Sequence, residues 1–372
     1  MSNEATERQR KRQRAVALLR RAAAQVELGV GRAKHGVKRR FGWIDPVEIL
    51  PYRGFGTRSR VRLVGRVVEA KGLGAPAPED RPWQNFKRMV HRLNSAEIPG
   101  VRVSLQFGEV RAETVTDHEG YFEFELLSED GAFPSPTAAA GGWHEAALCL
   151  ESEVSPGQGR VEARAAIMIP DDEAELAIVS DVDDTVIQTH VTNFSKMVRV
   201  TMLGNALTRL PFEGTTDLYC ALAAGPRGNA RNPVFYVSKS PWNLYDLLVD
   251  FLDRHRVPPG PLLLRDWGIH AQASLDFKQR RIEQLLALYP ALRFVLIGDS
   301  GERDPEIYLD IVERHPGRVA AVYIRAVHTD GKRHAELEAV AARARAAGVE
   351  LLLLKHAHEA LAHARAHGLA AM

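Results

Sequence analysis

Leu176-Ala177-Ile178-Val179-Ser180-Asp181-Val182-Asp183-Asp184-Thr185 decides how the rest of the chain is read. An apolar run of strand length stops at three aspartates and a threonine, so a buried strand delivers carboxylates to the carboxyl edge of a sheet. In open α/β sheets that edge is where ligands bind. Asp181 and Asp183, two residues apart, would share one side of a straight strand. Here the run passes into a loop and their directions can diverge. One carboxylate can then attack while the other moves a proton. Taken alone, such a strand end fits a helix cap or a solvated turn equally well, and the downstream sequence decides between the readings.

Three further polar ends follow. Val234-Phe235-Tyr236-Val237-Ser238-Lys239-Ser240-Pro241 is a second apolar strand ending in a hydroxyl, and Lys278 opens an amphipathic helix. Phe294-Val295-Leu296-Ile297-Gly298-Asp299 is a third strand ending in an acid, with Asp304 close behind. Strands predicted at 176–180, 234–237, 262–264, 294–297, 319–324 and 349–354 alternate with helices predicted at 243–255, 278–289, 305–315, 333–347 and 356–367. That alternation predicts an α/β domain with a doubly wound parallel sheet over 171–372. The stretch after Thr185 is too long for a simple crossover, and 194–208 has a helical pattern. It reads as an insert at about 186–232 lying over the site.

These residues resemble the haloacid dehalogenase superfamily of aspartate-nucleophile phosphatases. Its D-x-D-x-T motif matches Asp181-Val182-Asp183-Asp184-Thr185, its Ser or Thr matches Ser238, its helix-opening Lys matches Lys278, and its G-D-x-x-x-x-D matches Gly298-Asp299 through Asp304. Residues 236–245, 296–308, 209–214 and the upstream Pro-Tyr-Arg-Gly-Phe-Gly-Thr at 51–57 narrow the resemblance to the actin-patch type of phosphatidate phosphatase and its bacterial relatives. In Asp276-Phe277-Lys278-Gln279-Arg280-Arg281, Arg280 or Arg281 could compete with Lys278 for the phosphate role.

The resemblance implies a Mg²⁺-dependent phosphatase converting phosphatidate to diacylglycerol and phosphate. It makes Asp181 the nucleophile that forms an aspartyl-phosphate and Asp183 the acid, then the base. Ser238 and Lys278 would hold the phosphoryl oxygens. The metal would lie on Asp181, Asp299 and the backbone carbonyl of Asp183, with Asp304 in support. The physical need is plain: a phosphate monoester is dianionic near neutral pH and repels a carboxylate unless a cation shields it, which suits Mg²⁺ with its preference for oxygen ligands. Two rival readings are the same chemistry on a soluble phosphomonoester and a catalytically idle binding or scaffold protein.

Other residues invite roles that the sequence does not secure. Asp184 reads more readily as structural than as catalytic. Trp242 and Tyr245 could line a substrate entrance or pack in the core, and His270 is equally ambiguous. His363 and His367 lie one helical turn apart, but with no third ligand in view they read as a solvated helix face.

Upstream, residues 41–170 read as a small β-sandwich-like domain. Residues 60–68 and 101–107 alternate apolar with polar residues, as half-buried antiparallel strands do. Residues 112–116 and 121–126 flank the turn Asp117-His118-Glu119-Gly120, and 143–150 and 161–169 add two more strands. Insertions at 72–82 and 131–142 read as loops, and 83–93 as a short basic helix packed on the sheet.

The remaining segment, residues 1–40, is a basic helical tail. It holds 12 Lys and Arg against three acids, a net of +9, leaving −7 on the rest of a chain whose formal charge is +2. Val16, Leu19, Ala23, Val26 and Val30 form a narrow apolar stripe beside Arg14, Arg20 and Arg21. Such a helix can lie on an anionic membrane surface, or stay solvated; no nucleic-acid partner is expected. The 372 residues hold only two cysteines, Cys149 and Cys220, too far apart for a metal-spaced pair. Reduced thiols and a cytoplasmic setting are expected, with peripheral attachment at the inner membrane face. No apolar run approaches the roughly 18–20 residues of a membrane span, and the N-terminus lacks a secretory apolar segment.

Overall fold

A computed structural model of the chain describes residues 46–70, 97–128, 133–134, 141–154, 157–182, 214–265, 277–326 and 331–372, with only the backbone of Asn243. Asp183, Asp184, Thr185, the tail at 1–40, the predicted helices at 83–93 and 194–208, and His270 lie outside the described residues.

Alternation over 60–68 does produce a half-buried strand. The first sheet comprises β1 (Val47–Pro51), β2 (Gly54–Gly56), β3 (Arg60–Glu69), β4 (Arg102–Phe107), β5 (Val110–Val115), β6 (Tyr121–Leu127), β7 (Trp143–Leu150) and β8 (Glu162–Met168). On β3, Val61 and Leu63 face inward, and on β6 Phe122, Phe124 and Leu126 do the same. Their outward neighbours pair across the strands as Arg60 with Glu125 and Arg62 with Glu123. The turn into β6 is closed by Asp117, whose carboxylate accepts the N–H groups of Glu119 and Tyr121 at 2.9 Å each.

Hydrogen bonding joins all eight strands into one mixed sheet, in the order β1-β3-β2-β8-β7-β4-β5 with β6 also on β3. The link is β2, antiparallel to β3 and parallel to β8. Gly56 makes the tight return possible, since a Cβ there would lie 2.2 Å from the Arg60 carbonyl oxygen. Inward residues from β1, β3, β4, β6, β7 and β8 form one apolar cluster.

The second sheet is built as the alternation predicts: β9 (Leu176–Asp181), α1 (Thr215–Ala224), β10 (Val234–Pro241), a 3₁₀ turn (Trp242–Leu244), α2 (Tyr245–Arg254), β11 (Leu262–Arg265), α3 (Phe277–Leu288), β12 (Arg293–Asp299), α4 (Asp304–Arg314), β13 (Val319–Arg325), α5 (Gly331–Ala346), β14 (Leu351–Leu354) and α6 (Ala357–Ala366). Its order is β11-β10-β9-β12-β13-β14, and every neighbouring pair is parallel. Such strands are buried on both faces and so read as continuous apolar runs; all six residues of β9 are buried. Ile178, Tyr236, Val295 and Tyr323 pack on one face with Leu218 of α1, Phe251 of α2 and Ala360 of α6. Val179, Phe235, Leu296 and Val322 pack on the other with Ile282 of α3, Tyr308 of α4 and Ala341 of α5.

Several boundaries differ from expectation. β10 runs on to Pro241, the helix expected from 243 begins at Tyr245 after the 3₁₀ turn, and the last strand begins at Leu351 instead of 349. Part of the expected insert is a core layer, not a cover: α1 packs beneath β9, and the Tyr219 hydroxyl bonds Ser180 Oγ beside Asp181. Among the described residues no helix is long and apolar enough to cross a membrane.

The two sheets meet through the loop between β1 and β2. The Tyr52 ring stacks on Trp242 at 4.8 Å and leans on Tyr245 at 4.2 Å. Arg53 donates its backbone N–H to the Tyr245 hydroxyl at 2.6 Å and its guanidinium to Asp253 at 3.0 Å. The Tyr289 hydroxyl donates to the Gly56 carbonyl at 3.1 Å. Trp242 and Tyr245 are thus core residues, 9% and 6% exposed.

Candidate active site

From β9 the chain proceeds outward to β10 and β11, then returns to the other side of β9 for β12, β13 and β14. Ligands of open α/β sheets sit at such a reversal, off the carboxyl ends of the strands. Register places Asp181 beside Val237 of β10, and Ser180 beside Ile297 of β12. Asp181 and Asp299 therefore end adjacent strands at one edge, with Ser238 next to the Val237 that pairs with Asp181. All three are buried, with Ser238 Oγ accepting the Ser240 N–H at 2.8 Å.

Lys278, on the first turn of α3, is drawn into this acidic edge. Its ammonium lies 2.9 Å from Asp181 Oδ1 and 3.5 Å from Glu302 Oε2, and it donates a short bond to Asp304 Oδ1. Burial alone would depress this ammonium, but Asp181, Asp304 and Glu302 overcome that and hold it well above its ordinary value. Arg281, a rival in the sequence, lies over the Phe277 ring at 5.2 Å. Geometry gives the position beside Asp181 to Lys278.

β12 ends in a turn that organises the remaining acids. Asp299 Oδ1 accepts the N–H groups of Gly301 at 2.6 Å and Glu302 at 3.1 Å. Asp304, the first residue of α4, accepts the Asp299 N–H at 3.3 Å. The two can approach because residue 298 is glycine: a Cβ there would lie 2.4 Å from Asp304 Oδ2. Burial, reinforced by the neighbouring Asp304, pushes the Asp299 carboxyl up to about 6. Asp304 is also raised by burial, against the downward pull of Lys278.

Sequence reasoning gave no role to Glu302, Lys239 or Arg333. Lys239 Nζ bonds Glu302 at 2.7 Å, so two ammoniums serve the four carboxylates of Asp181, Asp299, Glu302 and Asp304. Arg333, from the start of α5, pairs with Glu306 and donates to the carbonyls of Ser300 at 3.4 Å and Glu302 at 3.3 Å, tying the turn down. These partners lie 27 to 63 residues apart, and no local periodicity links them.

This donor set fits a hard divalent cation. Asp181, Asp299 and Asp304 each offer a carboxylate oxygen within 4.8 Å of the others. Asp299 Oδ2 is buried with no hydrogen-bond partner among the described residues, a costly state for a carboxylate oxygen that a cation relieves.

Residues 176–326 match the family described as phosphatidate phosphatase APP1, catalytic domain. The matched segment contains Asp181, Ser238, Lys278, Asp299, Glu302 and Asp304, and over it the resemblance to the actin-patch type of phosphatidate phosphatase is borne out. An uncharacterised protein of Schizosaccharomyces pombe is 31% identical over 164 residues, 43% of this chain and 26% of the relative. Phosphatidate phosphatase APP1 of Saccharomyces cerevisiae is 29% identical over 155 residues, 40% of this chain and 26% of the relative. This chain thus aligns with about a quarter of the length of these curated relatives. A solved β-glucuronidase 3 of Bacteroides uniformis overlaps 79% of this chain and 38% of its own at 6% identity, with a TM-score of 0.23 that carries no argument.

Proposed function

We propose that the chain is a Mg²⁺-dependent phosphatase that hydrolyses phosphatidate to diacylglycerol and phosphate through a phosphoryl group carried on Asp181. The observation that carries the reading is the meeting of Asp181 with buried Lys278 at the strand reversal, beside the unpartnered Asp299 oxygen. In this reading the second sheet is a haloacid dehalogenase-like phosphatase domain at 171–372, preceded by a β-sandwich-like domain at 41–170 and the basic tail at 1–40.

Lys278 fixes the rotamer of Asp181 at the end of β9, so the nucleophile is oriented before substrate arrives. A carboxylate oxygen of Asp181 forms a bond to phosphorus as the bond from phosphorus to the glycerol oxygen breaks. Asp183 protonates the departing alkoxide, then takes a proton from the water that releases phosphate and restores Asp181. Ser238 and Lys278 donate to the phosphoryl oxygens on which charge accumulates. Asp181, Asp299 and Asp304 would hold Mg²⁺, with the Asp183 carbonyl contributing as the resemblance implies. What the ion supplies is neutralisation of the phosphate charge that would otherwise repel Asp181.

The tail at 1–40 would place a cytoplasmic enzyme peripherally on the inner membrane face, where its lipid substrate lies. The test is Mg²⁺-dependent phosphate release from phosphatidate in mixed micelles, beside soluble phosphomonoesters, with wild type and Asp181→Asn. Lipid preference in the wild type and no turnover in the variant are expected. Activity confined to soluble esters would overturn the substrate, and undiminished turnover in Asp181→Asn would overturn the mechanism.

A further inference from the structure

Away from the acidic edge, Glu350, His363 and His367 bring one carboxylate oxygen and two imidazole nitrogens within 4.8 Å of one another. Glu350 immediately precedes β14, and the histidines lie on or next to α6, one turn apart. The third ligand that the sequence could not supply comes from the fold, which sets the start of the last strand beside the last helix.

Neighbouring bonds orient both imidazoles. His367 Nδ1 lies 2.9 Å from the His363 carbonyl oxygen. A carbonyl only accepts, so Nδ1 carries the proton and Nε2 keeps its lone pair. His363 Nδ1 lies 2.9 Å from the Tyr323 hydroxyl, and its Nε2 lies 2.8 Å from Glu350 Oε2. A carboxylate likewise only accepts, so Nε2 donates to Glu350 and Nδ1 accepts the Tyr323 O–H; a cation taking the place of the Nε2 proton would leave Nδ1–H to donate to Tyr323. The ring is further held by an edge contact with Tyr323, while the exposed His367 ring, stacked on it at 3.9 Å, would turn out of the stack to bring its Nε2 to the same ion. Metal-ligating histidines are oriented in this way, by a hydrogen bond from the nitrogen that does not bind the ion.

We infer that Glu350, His363 and His367 form a Zn²⁺ site that clips α6 to the β14 end of the sheet. Zn²⁺ takes two imidazoles and a carboxylate at about 2.0–2.2 Å and completes four-coordination with water. Mg²⁺ prefers oxygen ligands, so this site and the acidic edge select different ions. Only 8% of the His363 side chain is exposed, whereas the Glu350 side chain is 52% exposed and His367 lies at the surface. The two outer ligands can therefore close on the roughly 3.3 Å donor spacing of a tetrahedron with such bonds without moving the core.

The test uses full-length protein stripped of metal, titrated with Co²⁺ as a coloured probe and then with Zn²⁺. The wild type should show the visible absorption of nitrogen-ligated Co²⁺, displaced by one equivalent of Zn²⁺, and Zn²⁺ should raise its Tm. His367→Gln and Glu350→Gln, both surface changes, should abolish the absorption, weaken Zn²⁺ binding at least about tenfold and remove the Tm increase. Asp299→Asn should leave all three intact, which separates the site from the acidic edge. Zn²⁺ binding unchanged by His367→Gln, or lost only in Asp299→Asn, would overturn the inference, as would a wild type that gives no stoichiometric Co²⁺ absorption.

Discussion

Lys278 Nζ lies 2.9 Å from Asp181 Oδ1, with only 1% of either side chain exposed. A pair this deeply buried cannot lose one member quietly. Lys278→Met leaves Asp181 and Asp304 facing each other without a counter-charge, a change that typically costs about 3–5 kcal/mol. The loss should be larger at pH 8 than at pH 5, where raised carboxyls such as Asp299 take up protons. Urea unfolding of both proteins at the two pH values measures this, and an equal loss at both would contradict it.

Asp299 gives the opposite sign. Its folded value of about 6 exceeds the ordinary 3.8, so the folded state holds this proton more tightly than the unfolded state does. The resulting stabilisation is full below pH 4 and is lost as pH rises through 6, on the order of 3 kcal/mol. Asp299→Asn removes that loss and turns the unpartnered oxygen into an N–H donor beside Asp304. In EDTA at pH 7.5 the variant should melt above wild type, and with Mg²⁺ restored it should release no phosphate. At pH 3.5 the two should melt together, and Mg²⁺ should narrow the gap at pH 7.5.

Gly298→Ala places a methyl group 2.4 Å from Asp304 Oδ2. Asp304 must withdraw, which breaks its bond to the Asp299 N–H and strains the turn by about 1–3 kcal/mol. Phosphate release should fall at least tenfold, with weaker Mg²⁺ activation. A variant with wild-type Mg²⁺ dependence would mean that Asp304 does not support the ion.

Tyr52→Ala empties the space between Trp242 and Tyr245 and should cost about 3–5 kcal/mol. The 3₁₀ turn that follows the Ser238 strand then loses its backing, so kcat should fall although Tyr52 touches no acidic residue of the site. Tyr52→Phe keeps the stack and should restore both stability and rate. If the alanine variant were as active and as stable as wild type, the loop would have no positioning role.

The acidic edge was legible because parallel strands are buried on both faces. The apolar runs at 176–180, 234–237 and 294–297 announce themselves, and the first polar residue after each marks the edge. Lys278 was legible from its place at a helix start, though only the fold separates it from Arg281. Glu302, Lys239 and Arg333 were not, because their pairing depends on how α3, α4 and α5 pack and leaves no local period. The single mixed first sheet was hidden for another reason: its bridge, Gly54–Gly56, is too short to alternate. Glu350 escaped notice because nothing in sequence relates a strand start to histidines 13 and 17 residues later.

Arg53 and Tyr245, bonded across the seam, are 192 residues apart. At a translation rate of about 5–20 residues per second, Tyr52 and Arg53 emerge roughly 10–40 s before their partners. The first sheet can close during that interval, but it does so with the aromatic face of its β1–β2 loop still in water. Synthesis of the chain therefore passes through a half-made stage that is sticky at one defined point, and completion of the second sheet ends it.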